Sequence, residues 1–229
     1  MKDINFAQNK QDVYPEFDNV VKFFKEKYPG KGTGIYSRWD WQRLLAAYKL
    51  VCGKLVLDVG IGIGAFSNIL VQSQRFERVV GIDIKKNSRL ILPQEGLYEF
   101  YIMSILDLKF KNQEFDTVVC MEVLEHLEPN DFIPALEELR RVTKKRLIVT
   151  VPFYEPEPLW HFDRRGGHRQ RFDYEKLSSF FPNAVATILN RGKGIEWIVL
   201  LEDDNIPKPE GFSILNYRYL TTLVKQSVK

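Results

Sequence analysis

Three groups of residues have types and spacings that could do chemistry. The first is Asp58-Val59-Gly60-Ile61-Gly62-Ile63-Gly64, with Asp83 about 20 residues further on. Glycines let a backbone turn tightly and approach a ligand closely. A helix opening behind such a loop presents free N–H groups to anything electron-rich. An acid at the end of the next strand suits acceptance of two ribose hydroxyls. The second group is Glu122, Glu125 and His126. If their segment is helical, the i, i+3, i+4 spacing puts all three on one face. On residue type and spacing alone, such a set reads as a polar helix start whose acids suit the dipole. The third group is the run from Trp160 to Arg171, with Arg164, Arg165, Arg169 and Arg171, His161 and His168, and the single acid Asp163. Guanidinium forks grip phosphate or carboxylate, and imidazole titrates near neutrality. His161 and His168 are therefore the candidate general bases.

The elements that must position these residues are legible as changes of texture. Short apolar, β-branched runs occupy Lys54 to Val59, Arg78 to Ile84, Glu99 to Met103, Thr117 to Met121 and Arg146 to Val151. Amphipathic stretches separate them: Ala65 to Gln74, a short one after Lys85, and Asp131 to Val142. Near-continuous apolar strands alternating with helices predict a parallel sheet covered on both faces. Ahead of this core (residues 53–204), residues 1–52 read as a helical cap, with helices near Glu16 to Tyr28 and Ser37 to Val51. Residues 152–172 read as a long loop, and a loop that long is usually functional. A helix from Tyr174 to Phe181, capped by Asp173, follows. Strands Val185 to Leu189 and Glu196 to Leu201, joined by a short glycine-containing link, predict an antiparallel pair at one sheet edge. The tail, residues 205–229, holds one helix near Ile214 to Val224.

Composition sets the outer bounds. The chain has 229 residues, 45% of them hydrophobic, enough for one sizeable core. This excludes intrinsic disorder, a collagen-like fibre and a disulfide miniprotein. Lys plus Arg number 33 against 30 acids, a net charge of +3. That near-balance disfavours a nucleic-acid track, and its excess is concentrated in residues 161–171. Cys52 and Cys120 read as reduced, buried thiols. With no apolar run of about 18 residues and no apolar leader, a cytoplasmic protein without a membrane span is the expectation.

The strand–loop–helix–strand–Asp order marks a nucleoside-binding unit. Gly60, Gly62 and Ala65 also satisfy the dinucleotide spacing. Asp58 argues against that ligand, because a carboxylate aimed into the loop repels a pyrophosphate but pairs with an ammonium group. Here the chain resembles the class I S-adenosylmethionine-dependent methyltransferases. The resemblance is carried by Leu55 to Gly64, Val79 to Asp83 and Phe115-Asp116-Thr117-Val118-Val119-Cys120-Met121-Glu122-Val123-Leu124-Glu125-His126-Leu127, with Arg146 to Pro152 as a fifth strand. It covers roughly residues 50–202.

The resemblance implies an α/β Rossmann-like sheet of seven strands, order 3-2-1-4-5-7-6, strand 7 antiparallel and helices on both faces. It implies S-adenosylmethionine as cofactor. Asp58 and the backbone of Gly60, Gly62 and Gly64 would hold the methionine moiety, and Asp83 the ribose. Ile84 and Ile105 would sandwich adenine, and Met121 or Glu122 would line the strand-4 mouth. Ser104 stands where the family often has an Asp that accepts from the adenine amino group, and a hydroxyl can still accept. The aromatic stretch from Tyr36 to Trp41 reads first as core at helical spacing; in the resemblance, pre-domain helices close over the cofactor, and Tyr36 and Arg38 would be the contacts.

The implied acceptor is a small, anionic, hydroxyl-bearing molecule of sugar or aromatic type, with His161 or His168 as base. Ubiquinone-type O-methyltransferases and small-RNA terminal 2′-O-methyltransferases resemble the chain at Glu122 to His126, and some bind a divalent cation there through a Glu–Glu–His set, to which the RNA enzymes add a downstream His that His168 would match; mixed carboxylate and imidazole ligation suits such a cation only loosely. Each of these residues also has a plain structural role, so no metal is assigned and the cation stays an alternative. The rival readings are a metal-assisted RNA 2′-O-methyltransferase and a catalytically silent subunit that binds a partner.

Overall fold

The computed structural model of the protein describes residues 14–28, 38–94, 96–155, 167–190, 196–206 and 211–227. The strands are β1 (Leu55–Val59), β2 (Arg78–Asp83), β3 (Tyr98–Ile102), β4 (Phe115–Met121), β5 (Thr143–Phe153), β6 (Val185–Leu189), β7 (Glu196–Asp203) and β8 (Ser213–Ile214). They form one sheet in the order β3-β2-β1-β4-β5-β7-β6-β8. Strands β1 to β5 run parallel, and β7 is antiparallel to both β5 and β6. The first seven strands thus take the expected order. The eighth, β8, pairs parallel with β6 and lengthens that edge.

Side-chain alternation along the strands explains why both faces are covered. Val56, Val79, Val119, Ile148 and Val199 face one buried cluster, formed with α1 (Pro15–Lys27), α2 (Arg38–Leu50), α3 (Ala65–Gln72) and α6 (Tyr217–Ser227). Their neighbours Leu57, Val80, Val118, Val149 and Leu200 face the other, with α4 (Phe132–Val142) and α5 (Tyr174–Phe180). In α4 the buried residues Phe132, Ala135, Leu136, Leu139 and Val142 make one stripe at helical spacing. Truncating Phe132 to Ala would cost about 3–5 kcal/mol. Asp173 caps α5 as expected, accepting from the Lys176 amide at 2.8 Å.

Three local expectations are corrected. The stretch after Lys85 is not a helix: Asn87 Oδ1 accepts from the Arg89 amide at 2.9 Å, a turn that competes with helix formation. The segment is strapped to the glycine loop instead, through Ile91 N to Ile63 O (3.0 Å) and Asn68 Nδ2 to Ile91 O (2.9 Å). The tail helix starts at Tyr217, because Ser213 and Ile214 are drawn into the sheet and Asn216 Oδ1 accepts from Arg218 N at 2.9 Å. Strand β5 begins at Thr143, ahead of the apolar run, and carries a buried arginine. Arg146 Nε donates to Asp203 Oδ2 on β7 at 2.8 Å, and its guanidinium also donates to the Leu50 carbonyl at the end of α2. The pair ties helix and sheet together. No helix among the described residues is long and apolar enough to cross a membrane.

Candidate active site

The site is built at the carboxyl ends of β1, β2, β4 and β5, where parallel α/β sheets place their ligands. The β1 loop turns back on β2: the amides of Gly60 and Ile61 donate to the Ile82 carbonyl at 2.8 and 3.1 Å. Gly60 has φ +76°, and a Cβ there would come within 2.2 Å of Val123 Cγ2. The segment after β4 therefore needs a glycine beneath it. At Gly62 (φ +55°) a Cβ would meet nothing within 4 Å, so the loop tip faces open space. Asp83, at the end of β2, reaches this tip, and its Oδ2 accepts from the Gly62 amide at 3.0 Å. Gly64 opens α3 in a left-handed conformation.

Asp58 sits differently from the sequence expectation of a carboxylate aimed into the loop. It is only 2% exposed, and its Oδ2 accepts from Ser67 Oγ on α3 at 2.6 Å. Burial pushes its carboxyl up to about 7, opposed by the Ser67 hydrogen bond. It stands behind the loop as a buried titratable charge. Around the expected adenine position, Ile84 is 66% exposed while Ile105 is 8% exposed. Ser104 lies between them in sequence, and its Oγ accepts from the Leu106 amide at 3.2 Å. Met121 is half-buried at the end of β4. An open apolar face, a glycine cradle with room in front of it and a carboxylate at its tip form a set that could hold a nucleoside bearing an amino-acid tail.

The segment after β4 divides the Glu–Glu–His group. Glu122 adopts φ +54°, so the chain is not helical there, and only Leu124–His126 makes a single 3-10 turn. The expected common helical face does not form. Glu122 turns away: Oε1 accepts from Thr150 Oγ1 at 2.9 Å, and Oε2 accepts from Trp197 Nε1 at 2.9 Å and pairs with Arg43 at 3.1 Å. It clamps α2 to β5 and β7.

Glu125 and His126 remain together, and His168 joins them. One ligand atom from each of the three lies within 4.8 Å of the others. The backbone explains how His168 arrives: the amides of Arg169 and Gln170 donate to the Glu125 carbonyl at 2.7 and 3.2 Å. The Gln170 amide group donates to the Leu127 carbonyl at 3.0 Å. The two imidazoles meet edge to face, with centroids 5.0 Å apart. Glu125 is 0% exposed, and neither of its carboxyl oxygens has a hydrogen-bond partner. Burial, and then the nearby Glu122 carboxylate, push its carboxyl well above the ordinary range.

Glu155 was not singled out by the sequence. Its Oε2 lies 2.5 Å from His168 Nδ1 and pushes that imidazole's pKa up. A lone acid in a loop gives no sequence signal; only the return of the chain at Arg171 and Phe172 brings it to His168.

His161, Arg164, Arg165 and Tyr36 lie outside the described residues, as does the Arg38 side chain. Of the remaining arginines in the basic run, Arg169 pairs with Glu128, and Arg171 donates to the Glu155 carbonyl at 2.8 Å. Cys120 is buried, which pushes its thiol well up, and Cys52 is half-buried rather than buried; both are free.

Comparison with known proteins agrees with this geometry. Residues 57–149 match the family model described as a methyltransferase domain. The ubiquinone biosynthesis O-methyltransferase of Azoarcus is 36% identical over 99 residues, 41% of this chain and 40% of that protein. The 2-methyl-6-phytyl-1,4-hydroquinone methyltransferase of Synechocystis is 29% identical over 177 residues, 69% of this chain. The chain spans 55% of that second relative's length. Among solved structures, the Burkholderia thailandensis 1,6-didemethyltoxoflavin-N1-methyltransferase, with bound S-adenosylhomocysteine, superposes with a TM-score of 0.57. Its identity is 16%, over 83% of this chain and 89% of that one. Over residues 57–149 the chain is thus similar to the methyltransferase-domain family, and its sheet takes the strand order that the resemblance to the class I S-adenosylmethionine-dependent methyltransferases implies.

Proposed function

We propose that the chain transfers a methyl group from S-adenosylmethionine to a hydroxyl of a small aromatic or sugar-like acceptor. When bound, the cofactor supplies a methyl group already activated on a sulfonium. The protein's tasks are to hold both molecules, exclude water and take up the hydroxyl proton. In this reading Gly60, Gly62 and Gly64 receive the methionine end, with Asp58 behind them as the counter-charge to its ammonium. Asp83 accepts from the ribose, Ile84 and Ile105 flank adenine, Ser104 accepts from its amino group, and Met121 borders the mouth.

The observation that carries the acceptor side is the meeting of Glu125, His126 and His168 beyond β4 and β5. Three groups able to accept a proton or a cation converge there, and Glu125 is buried without a partner. His168 is the base of choice, and His161 is kept beside it. The name of the ubiquinone biosynthesis O-methyltransferase favours a hydroxyl, and that of the hydroquinone methyltransferase an aromatic acceptor. An anionic group on the acceptor would need a cationic partner. Arg169 and Arg171 are already engaged, so recognition of such a group would fall to Arg164 and Arg165.

A second reading is favoured by the same orphaned carboxyl. Glu125, His126 and His168 are a donor set that suits a divalent cation, which would let Glu125 ionise and would polarise an acceptor hydroxyl. The clamp on Glu122 leaves that residue outside the set. A screen with radiolabelled S-adenosylmethionine over hydroquinones, catechols, phosphosugars and short RNAs, with Mg²⁺ or with EDTA, tests both readings. We expect label in a hydroxyl-bearing small molecule. Label in RNA alone would replace the first reading, and indifference to EDTA would remove the second.

A further inference from the structure

We infer that Glu155 is a positioning residue that fixes the tautomer and ring orientation of His168. This rests on the reading above, in which His168 works on the acceptor.

The backbone holds the two residues face to face. Tyr154 N donates to the Phe172 carbonyl at 3.0 Å, and Arg171 donates to the Glu155 carbonyl at 2.8 Å. The end of β5 and the segment that carries His168 are thus pinned to each other at residues 154–155 and 171–172. Tyr154 adopts φ +51°, a left-handed conformation that non-glycine residues seldom take. That turn sends Glu155 inward, where it is only 7% exposed. Its Oε2 then lies 2.5 Å from His168 Nδ1.

The chemistry of this contact has one sense. A carboxylate only accepts, so the hydrogen belongs to Nδ1. The nitrogen left with its lone pair is Nε2, and without Glu155 the neutral ring could carry its hydrogen on either nitrogen. Both tasks proposed for His168, taking a hydroxyl proton and holding a divalent cation, need a ring nitrogen with a lone pair. Glu155 therefore serves His168 whichever of the two holds. The other half of the cluster is arranged alike: His126 Nδ1 lies 3.3 Å from the Gly167 carbonyl, which can only accept. Two histidines in edge-to-face contact are each held at Nδ1 from outside.

The plain alternative is an ion pair that merely fastens the chain, and spectroscopy separates the two. Side-chain ¹⁵N NMR of the full chain, recorded above the titration of His168, reads its tautomer directly. In the wild type we expect hydrogen on Nδ1. Glu155→Gln should keep that tautomer, because an amide oxygen still accepts. Glu155→Ala should move the hydrogen wholly or partly to Nε2. With 1,4-hydroquinone as acceptor probe, Glu155→Ala should lower kcat about 10- to 100-fold at unchanged KM, and Glu155→Gln should recover part of it. An unchanged S-adenosylhomocysteine-induced rise in Tm confirms that each variant is folded. A wild-type tautomer in Glu155→Ala overturns the inference whatever the activity. A separate outcome speaks to the underlying reading: full turnover by His168→Gln removes His168 from the acceptor site, and the positioning role with it.

Discussion

Replacing Asp58 by Asn should raise the stability of the ligand-free protein at pH 8 and weaken cofactor binding at once. The carboxyl is buried against α3, and burial raises it from 3.8 to about 7. The ionised form is therefore disfavoured in the folded chain by about 4 kcal/mol. An acid whose folded value is raised holds its proton where the unfolded chain has already lost it. Its presence makes stability fall as pH rises from near 3.8 to about 7. Asn keeps an oxygen for Ser67 Oγ but does not titrate. Its amide hydrogens carry a burial cost of about 1–3 kcal/mol, the same at every pH. The informative quantity is thus the change in the variant-minus-wild-type difference between pH 5 and pH 8, about 3 kcal/mol in favour of Asn. Urea denaturation at the two pH values measures it. Titration calorimetry with S-adenosylhomocysteine at pH 8 should show weaker binding to the variant, because the counter-charge to the ligand's ammonium is gone. Equal stability differences at both pH values would refute the buried-charge argument. Unaltered affinity would refute the role given to that charge.

Three further perturbations separate holding the fold from holding the ligand. Gly62→Ala should leave the protein folded, since a Cβ there meets nothing within 4 Å, at a cost of about 1–2 kcal/mol for the φ of +55°; its binding of S-adenosylhomocysteine should drop at least tenfold by calorimetry. Ile84→Ser removes an exposed side chain and should leave Tm almost unchanged while weakening adenine binding several-fold in the same titration. Asp203→Ala strands the Arg146 guanidinium, whose side chain is 2% exposed, and should cost about 3–5 kcal/mol in urea denaturation. Arg146→Met together with Asp203→Leu should recover much of that loss.

The sheet was readable because its strands are buried on both faces and so appear as unbroken apolar runs. The glycine loop was readable because its spacing answers to a backbone geometry that few other residues tolerate. What sequence could not supply were contacts between distant side chains. Arg146 opens an apolar run as though at a surface, yet it is buried because Asp203 waits on the antiparallel neighbour. Glu122 and Glu125 look alike in the sequence. A positive φ at Glu122 sends it to Thr150, Trp197 and Arg43, while Glu125 is left buried and unpartnered beside two histidines. The helical face that would have kept them together is broken within one residue. The stretch after Lys85 shows the opposite failure, an amphipathic pattern overruled by a local turn at Asn87.

Cofactor binding is the property on which every proposed role of the glycine loop and Asp83 depends. Titration of S-adenosylmethionine and S-adenosylhomocysteine into the purified chain should give saturable one-to-one binding. Asp83→Ala, which removes the acceptor at the loop tip, should weaken it at least tenfold while the protein stays folded. A folded wild-type chain that takes up neither ligand would contradict the account.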